Sequence, residues 1–245
     1  MSGDDGIFDA TIAAQYDTLH GAPTAAEVPV MVACLDAWAT DRKALEFAIG
    51  TGRVALPLAR CGVAVSGIDC SQAMIEQLRR KDGGQDLRVV TGDMASERLE
   101  DHFSLVFLVF NTIDNLTTQA AQVASFENAA RHLKPGGRFV VETLVPPLQR
   151  LPVGETKLAF AATDQHVGID QFDTVTQTYS STHIHFEDGG EVSRLTVPFR
   201  YAWPAELDLM AQIAGMALEH RWADWTKAAF TATSTRHISV WRKPA

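Results

Sequence analysis

Ala44-Leu45-Glu46-Phe47-Ala48-Ile49-Gly50-Thr51-Gly52-Arg53, followed by Val65-Ser66-Gly67-Ile68-Asp69, is the stretch whose reading decides the fold. An apolar strand runs into a glycine-rich turn and a helix, and a second strand ends on an acid. That order opens a doubly wound α/β domain whose first turn holds a nucleoside-containing cofactor. The glycine spacing then narrows the cofactor. A dinucleotide fingerprint starting at position 48 needs small residues at 48, 50 and 53, and position 53 is arginine.

Outward from this stretch, the chain alternates strand and helix signals. Phe8 to Leu19 and Ala25 to Ala39 read as helices, with Thr24 as a cap for the second. Val54 to Cys61 is the crossover helix after strand one, and Val63 to Ile68 is strand two. Ser71 caps a helix through Lys81, closed by Asp82-Gly83-Gly84. Leu87 to Thr91 is strand three. Phe103 to Phe110 is nearly all apolar, as a central parallel strand buried on both faces requires. Thr117 or Thr118 caps a helix to Leu133, Lys134-Pro135-Gly136-Gly137 ends it, and Arg138 to Leu144 is strand five. The alternation dictates a parallel sheet.

After Pro146-Pro147 the composition shifts. Lys157 to Trp203 is rich in Thr, Val, Phe, Tyr and His, with turn signals at Thr163-Asp164 and Glu187-Asp188-Gly189-Gly190. It reads as three or four antiparallel strands inserted into the larger fold. Pro204 suits a first helical position, and the helix to Gly215 is amphipathic. Ala217 to Ala223 and Arg236 to Arg242 complete the main sheet. The expected division is a helical lid over 1–40, a cofactor domain over 41–150 and 204–245, and an inserted sheet over 151–203. That sheet covers the substrate, or pairs two copies of the chain through its exposed edges.

Bulk properties exclude several classes. With 46% hydrophobic and 21% charged residues over 245, the chain builds an ordinary soluble core. A net charge of −9 argues against nucleic acid as a partner, because phosphate binding needs a concentrated basic surface. The three cysteines, Cys34, Cys61 and Cys70, show neither metal-ligand nor disulfide spacing. No segment suggests export or a bilayer span, so a cytoplasmic location is expected.

The small-x-Gly-x-Gly spacing, with an acid ahead of it, points away from nicotinamide and flavin and toward S-adenosylmethionine. Together with Asp69, Gly92-Asp93-Met94, the Phe110-Asn111 strand end and His132 to Gly137, it resembles a class I S-adenosylmethionine-dependent methyltransferase over residues 8–145 and 204–243. The inserted sheet and Arg200-Tyr201-Trp203-Pro204 are similar to small-molecule members, of the amino-sugar and glycine N-methyltransferase type. The resemblance implies a seven-stranded Rossmann-like sheet and methyl transfer to a nitrogen or oxygen of a small molecule. The rivals are a nicotinamide-dependent oxidoreductase and a non-catalytic cofactor-binding or dimerisation protein. Arg53 and the lack of a recognisable Tyr-x-x-x-Lys pair disfavour the oxidoreductase.

Gly50 and Gly52 let the backbone turn and approach a ligand without collision. By resemblance this loop, with Ala48 and Arg53, runs beneath the methionine and ribose portions, and Glu46 accepts bonds from the loop or the cofactor amine. Ala48 replaces the family's usual glycine, and its methyl fits where φ is negative. Asp69 suits the ribose hydroxyls or a helix cap. Cys70 and Met74 lie near the adenine, although Met74 also suits the core. Asp93 suits the adenine amino group or an Asx turn, and the Met94 amide an adenine ring nitrogen. Tyr16 resembles a lid tyrosine.

Phe110 and Asn111 lie against the cofactor, and Asp114 or Asn115 faces the acceptor or merely caps the loop. Asn111, Asp114 and His20 are the catalytic candidates. Arg200, Tyr201, Trp203, Asn115 and His237 are the substrate-contact candidates. His183-Ile184-His185-Phe186-Glu187 puts two histidines and an acid on one strand face. With no further ligand to nominate, that pattern reads as a solvent-facing strand, and no metal is expected.

Overall fold

The computed structural model describes residues 8–186 and 190–245, with only the backbone described for 19–24. Six α-helices and eleven strands occur among the described residues. Strands β1 (Lys43–Phe47), β2 (Ala64–Asp69), β3 (Arg88–Thr91), β4 (Phe103–Leu108) and β5 (Leu133–Leu144) are parallel neighbours. Strands β10 (Ala217–Trp222) and β11 (Arg236–Arg242) extend them antiparallel. The seven strands run in the order β10-β11-β5-β4-β1-β2-β3.

Beta-strand β4 is buried along its whole length, because helices cover both faces of the sheet. On one face Phe126, Phe139 and Trp241 pack edge to face, with ring centroids 5.0–5.1 Å apart for the Phe126 pairs. The helices here are α5 (Gln119–His132) and α6 (Pro204–Ile213). On the other face, α2 (Val28–Trp38) and α3 (Ala55–Arg60) bury Met31, Leu35 and Leu58. Helix α4 (Gln72–Arg79) follows β2 and is capped by Ser71, whose hydroxyl accepts the Met74 amide at 3.2 Å. Thr118 caps α5 in the same way, accepting the Ala121 amide at 3.1 Å.

Residues between Lys157 and Arg200 form a separate four-stranded antiparallel sheet, β6 (Lys157–Ala162), β7 (His166–Asp173), β8 (Thr178–Phe186) and β9 (Val192–Arg200). It meets the main body through Phe172, Tyr179 and Tyr201, which form their own cluster. No described helix is long and apolar enough to cross a membrane.

Three boundaries differ from the sequence reading. Helix α1 spans Ala10–Thr24, so Thr24 ends the first helix; Glu27 precedes the second without a side-chain cap. The Lys134 to Gly137 stretch lies within β5 rather than ahead of it, since the turn at Gly136, φ 77°, is accommodated beside β4 by a register shift. The expected turn at Glu187 to Gly189 falls outside the described residues.

Candidate active site

The ends of β1, β2, β3 and β4 open onto a cavity of about 290 Å3. Its floor is Ala48 and Gly50, one wall is Asp69, Cys70 and Met74, and another is Asp93 and Met94. A smaller hollow continues past Glu46, Gly50, Arg53 and Phe110. Tyr16 borders both, so helix α1 roofs the junction. Twelve of the thirteen residues expected around the cofactor bear on this site. Of them, Gly52 supports it from behind: a Cβ there would meet Leu78 at 2.3 Å, so only glycine lets the loop lie against α4. The thirteenth, Asn111, is discussed below with the β4 loop.

Glu46 is the electrostatic centre of the smaller hollow. It is only 4% exposed, and its Oε2 has no hydrogen-bond partner. Burial, and the nearby Asp69 carboxylate, push its pKa well above the usual range against the pull of Arg53 and the Ala55 amide. A buried carboxylate oxygen left unpaired is costly, and a ligand ammonium offsets that cost directly. Arg53 itself lies over the Phe110 ring, 3.7 Å from its centroid, and 5.6 Å from that of Tyr16.

Asp69 spends one oxygen on each side of the loop crossover. Its Oδ2 accepts the Gly50 amide at 2.6 Å and its Oδ1 the Ser71 amide at 2.8 Å. Asp69 also lines the cavity. Asp93 closes an Asx turn onto the Ala95 amide at 2.8 Å while lining the cavity, so the turn and a cavity-lining position coexist. Ala48 departs from expectation: its φ is 52°, in the left-handed region, where its methyl is strained rather than comfortable.

Beyond β4 the chain bends through two consecutive left-handed residues, Phe110 (φ 59°) and Asn111 (φ 60°). Glu142 on β5 holds that bend. Its carboxylate accepts the Phe110 amide at 3.2 Å and its carbonyl the Asn111 amide, also at 3.2 Å. Sequence reasoning missed Glu142, because a lone acid within an apolar strand carries no motif. Asn111 is exposed at the bend, whereas Thr112, Asn115 and Thr117 line the large cavity. Phe8 also lines it, outside every sequence motif.

Several acceptor-side candidates lie elsewhere. Asp114 is buried behind the cavity wall, accepting Tyr179 Oη–H at 3.1 Å and Thr143 Oγ1–H at 3.3 Å. Burial raises its pKa to about 7, opposed by those two bonds and Arg200. Arg200 is also buried; its guanidinium bonds Gln122 and pairs with Glu206 at 2.7 Å. Tyr201 is 1% exposed in the cluster with Phe172. Trp203 stands at the start of α6, faces Tyr201 edge-on at 6.5 Å and lines neither hollow.

His237 is fully buried on β11. Its Nδ1 lies 2.8 Å from Ser239 Oγ, and burial, with Arg221, lowers its pKa to about 3. His237 lines neither hollow. Arg200, Tyr201, Trp203 and His237 are therefore structural neighbours of the site rather than its lining. The His20 side chain lies outside the described residues.

The comparisons with known proteins agree with this geometry. The methyltransferase domain family matches residues 44–137. The chain is 39% identical to the CcbJ methyltransferase from Streptomyces caelestis, covering 89% of each chain with a TM-score of 0.79. The chain belongs to the S-adenosylmethionine-dependent methyltransferases. It is 26% identical to the cypemycin N-terminal methyltransferase of a Streptomyces species, over 97% of this chain and 98% of that one. The fold is shared with an S-adenosylmethionine-dependent methyltransferase from Clostridium acetobutylicum (TM-score 0.77, 14% identity, 96% and 98% covered). The methyltransferase takes S-adenosylmethionine as its methyl donor, and the nicotinamide alternative is set aside. Its cavity fits that group: the partnerless Glu46 Oε2 suits a cationic amine, and Gly50 and Gly52 leave the loop backbone bare.

Proposed function

We propose that this methyltransferase methylates a nitrogen, or next an oxygen, of a small molecule, and that the acceptor enters beside Thr112, Asn115 and Thr117. The carrying observation is that this polar patch shares one cavity with the cofactor loop residues Ala48 and Gly50. The name of the cypemycin N-terminal methyltransferase supports nitrogen. The chain's charge of −9 favours a neutral or cationic acceptor modestly.

Glu46 would hold the donor's amino group, Asp69 its ribose, and Asp93 with the Met94 amide its adenine. When bound, the donor supplies an electrophilic methyl on a sulfonium whose leaving group is neutral. The protein's own work is then alignment and exclusion of water. Tyr16 and Phe8 close the cavity from above, and Phe110, pinned by Glu142, fixes the wall after β4. Asp114 acts as a positioning residue, through Tyr179 and Thr143, rather than as a base in contact with the acceptor.

The domain reading follows: 1–40 as lid, 41–150 with 204–245 as donor domain, and 151–203 as cover. Edge strands β6 and β9 favour pairing of two copies, and light scattering at monomer mass removes that suggestion. A cytoplasmic location belongs to the same proposal. Calorimetry with S-adenosylmethionine, its demethylated product and NAD tests the donor site, and a transfer assay across amines and alcohols tests the acceptor. Donor binding without transfer to any of them would leave the non-catalytic alternative standing and sink the enzymatic one.

A further inference from the structure

On the inserted sheet, far from any expected role, three histidines converge. His183 and His185 sit two residues apart on β8, so both side chains project from one face. The β7–β8 register places His166 directly opposite His185, and Gly168 opposite His183. One donor nitrogen from each of His166, His183 and His185 lies within 4.8 Å of the others, and all three side chains are half-buried. The sequence offers two of these ligands in one strand; the third comes from the neighbouring strand, which spacing along the chain cannot reveal.

We propose that His166, His183 and His185 form a binding site for a divalent transition-metal ion of the zinc class, separate from the methyl-transfer cavity. Three imidazoles are a donor set that leaves a fourth tetrahedral position open to water or another ligand. No residue of the trio lines either hollow of the active site.

Three features argue for a built site. His166 Nε2 and His183 Nδ1 are already 3.1 Å apart, close to the separation of two nitrogens sharing a tetrahedral ion at about 2.0–2.1 Å from each. His183 Nε2 lies 3.5 Å from Ser181 Oγ, and Ser181 in turn bonds Asp170. That order, with Ser181 donating to the acid and His183 Nε2–H donating to Ser181, leaves the His183 Nδ1 lone pair facing His166. It is the outer-shell arrangement that orients ligating histidines. Asp170 Oδ1 is itself buried without a partner, which leaves the acid free to strengthen that relay.

The pocket is also shaped on its apolar side. The Phe160 ring on β6 packs edge-on to His183 with centroids 5.2 Å apart. It occupies the space over Gly168, where any Cβ would come within 2.2 Å of it. The rings are stacked, His166 on His185 at 4.4 Å. Binding requires them to turn about χ2. It also requires the proton on His166 Nε2 to shift to Nδ1 of the same ring, so that Nε2 presents its lone pair and the proton count is unchanged. Nothing is oxidised or reduced.

The test uses the full chain, freed of added purification histidines, titrated with zinc chloride and separately with cobalt chloride. We expect one equivalent of Zn2+ by calorimetry and visible absorption bands of four-coordinate Co2+. His183→Ala is expected to weaken zinc binding more than about 100-fold, and Ser181→Ala by about 10-fold, as loss of an outer-shell partner does. Both variants should bind the demethylated cofactor as the parent does, which certifies their fold. Absence of stoichiometric binding to the parent overturns the proposal, as does binding that survives His166→Ala and His183→Ala unchanged.

Discussion

At the scale of single residues, Ala48 and Glu46 carry opposite kinds of strain. Ala48 sits at φ 52°, which costs an L-residue about 1–2 kcal/mol. Replacing it with glycine removes that strain and adds back part of it as chain entropy, about 0.4–1 kcal/mol. Ala48→Gly is therefore expected to raise the unfolding free energy by about 0.5–1 kcal/mol and to retain donor binding. A denaturant midpoint lower than the parent's would show that the methyl, which packs against the core, does more than it strains. Glu46 is strained electrostatically, since burial raises its pKa while Oε2 goes unpaired. A bound ammonium draws the pKa down again, so binding releases a proton and affinity rises with pH as the free acid ionises. Glu46→Gln is expected to flatten that dependence. It should also weaken S-adenosylmethionine binding by about 10- to 100-fold, the equivalent of one charged hydrogen bond. Calorimetry in buffers of different ionisation enthalpy reads both effects, and an unchanged proton count in the variant rules the assignment out.

At the scale of elements, helix α1 is joined to the donor domain by few bonds. Asp17 pairs with Lys81 at 2.5 Å and accepts from Thr51 Oγ1 at 2.6 Å, and the Phe8 carbonyl accepts from Ser71 Oγ at 2.6 Å. Asp17 is 44% exposed, so this ion pair is worth about 0–1 kcal/mol. Such a latch is weak enough to open for ligand exchange and strong enough to bias Tyr16 over the cavity. Asp17→Ala should speed proteolysis within residues 10–24 and weaken donor binding by about 5-fold or less, with global stability nearly unchanged. A global loss of several kcal/mol would mean that α1 is an integral part of the core. The loop after β4 behaves differently. Its two left-handed residues are held by a buried acid, so Glu142→Ala should cost about 2–3 kcal/mol as the bend loses its anchor and Trp225 Nε1 loses its acceptor. Chemical denaturation checks that value.

At the scale of the whole molecule, the parallel sheet was legible because β4 and its neighbours are apolar on both faces and punctuated by caps at Ser71 and Thr118. The lining of the large cavity was legible for the same reason: its residues cluster at strand ends in sequence order. The acceptor side was not, because it depends on which distant segments meet. Arg200 and Tyr201 look like exposed recognition residues in the sequence, yet they are consumed by Glu206, Gln122 and Phe172 where the two sheets join. His166 joins His183 and His185 only through antiparallel pairing. The same junction supplies a global test. Asp114 on the main body and Tyr179 on β8 bridge the two sheets, with Asp114 raised from 3.8 to about 7 chiefly by burial. A carboxyl whose folded pKa is raised favours folding in its protonated form. Its contribution is whole below about pH 4 and is lost as pH rises through about 7, to a maximum of about 4 kcal/mol. Asp114→Asn keeps a neutral group of the same shape and cannot ionise. The stability of the parent relative to this variant should therefore fall between pH 5 and about 7.5, as read by urea unfolding of both proteins at each pH. A parent-minus-variant difference that stays constant across that range would mean that Asp114 is already ionised when the two sheets are joined, and that the Tyr179 bridge is held by charge.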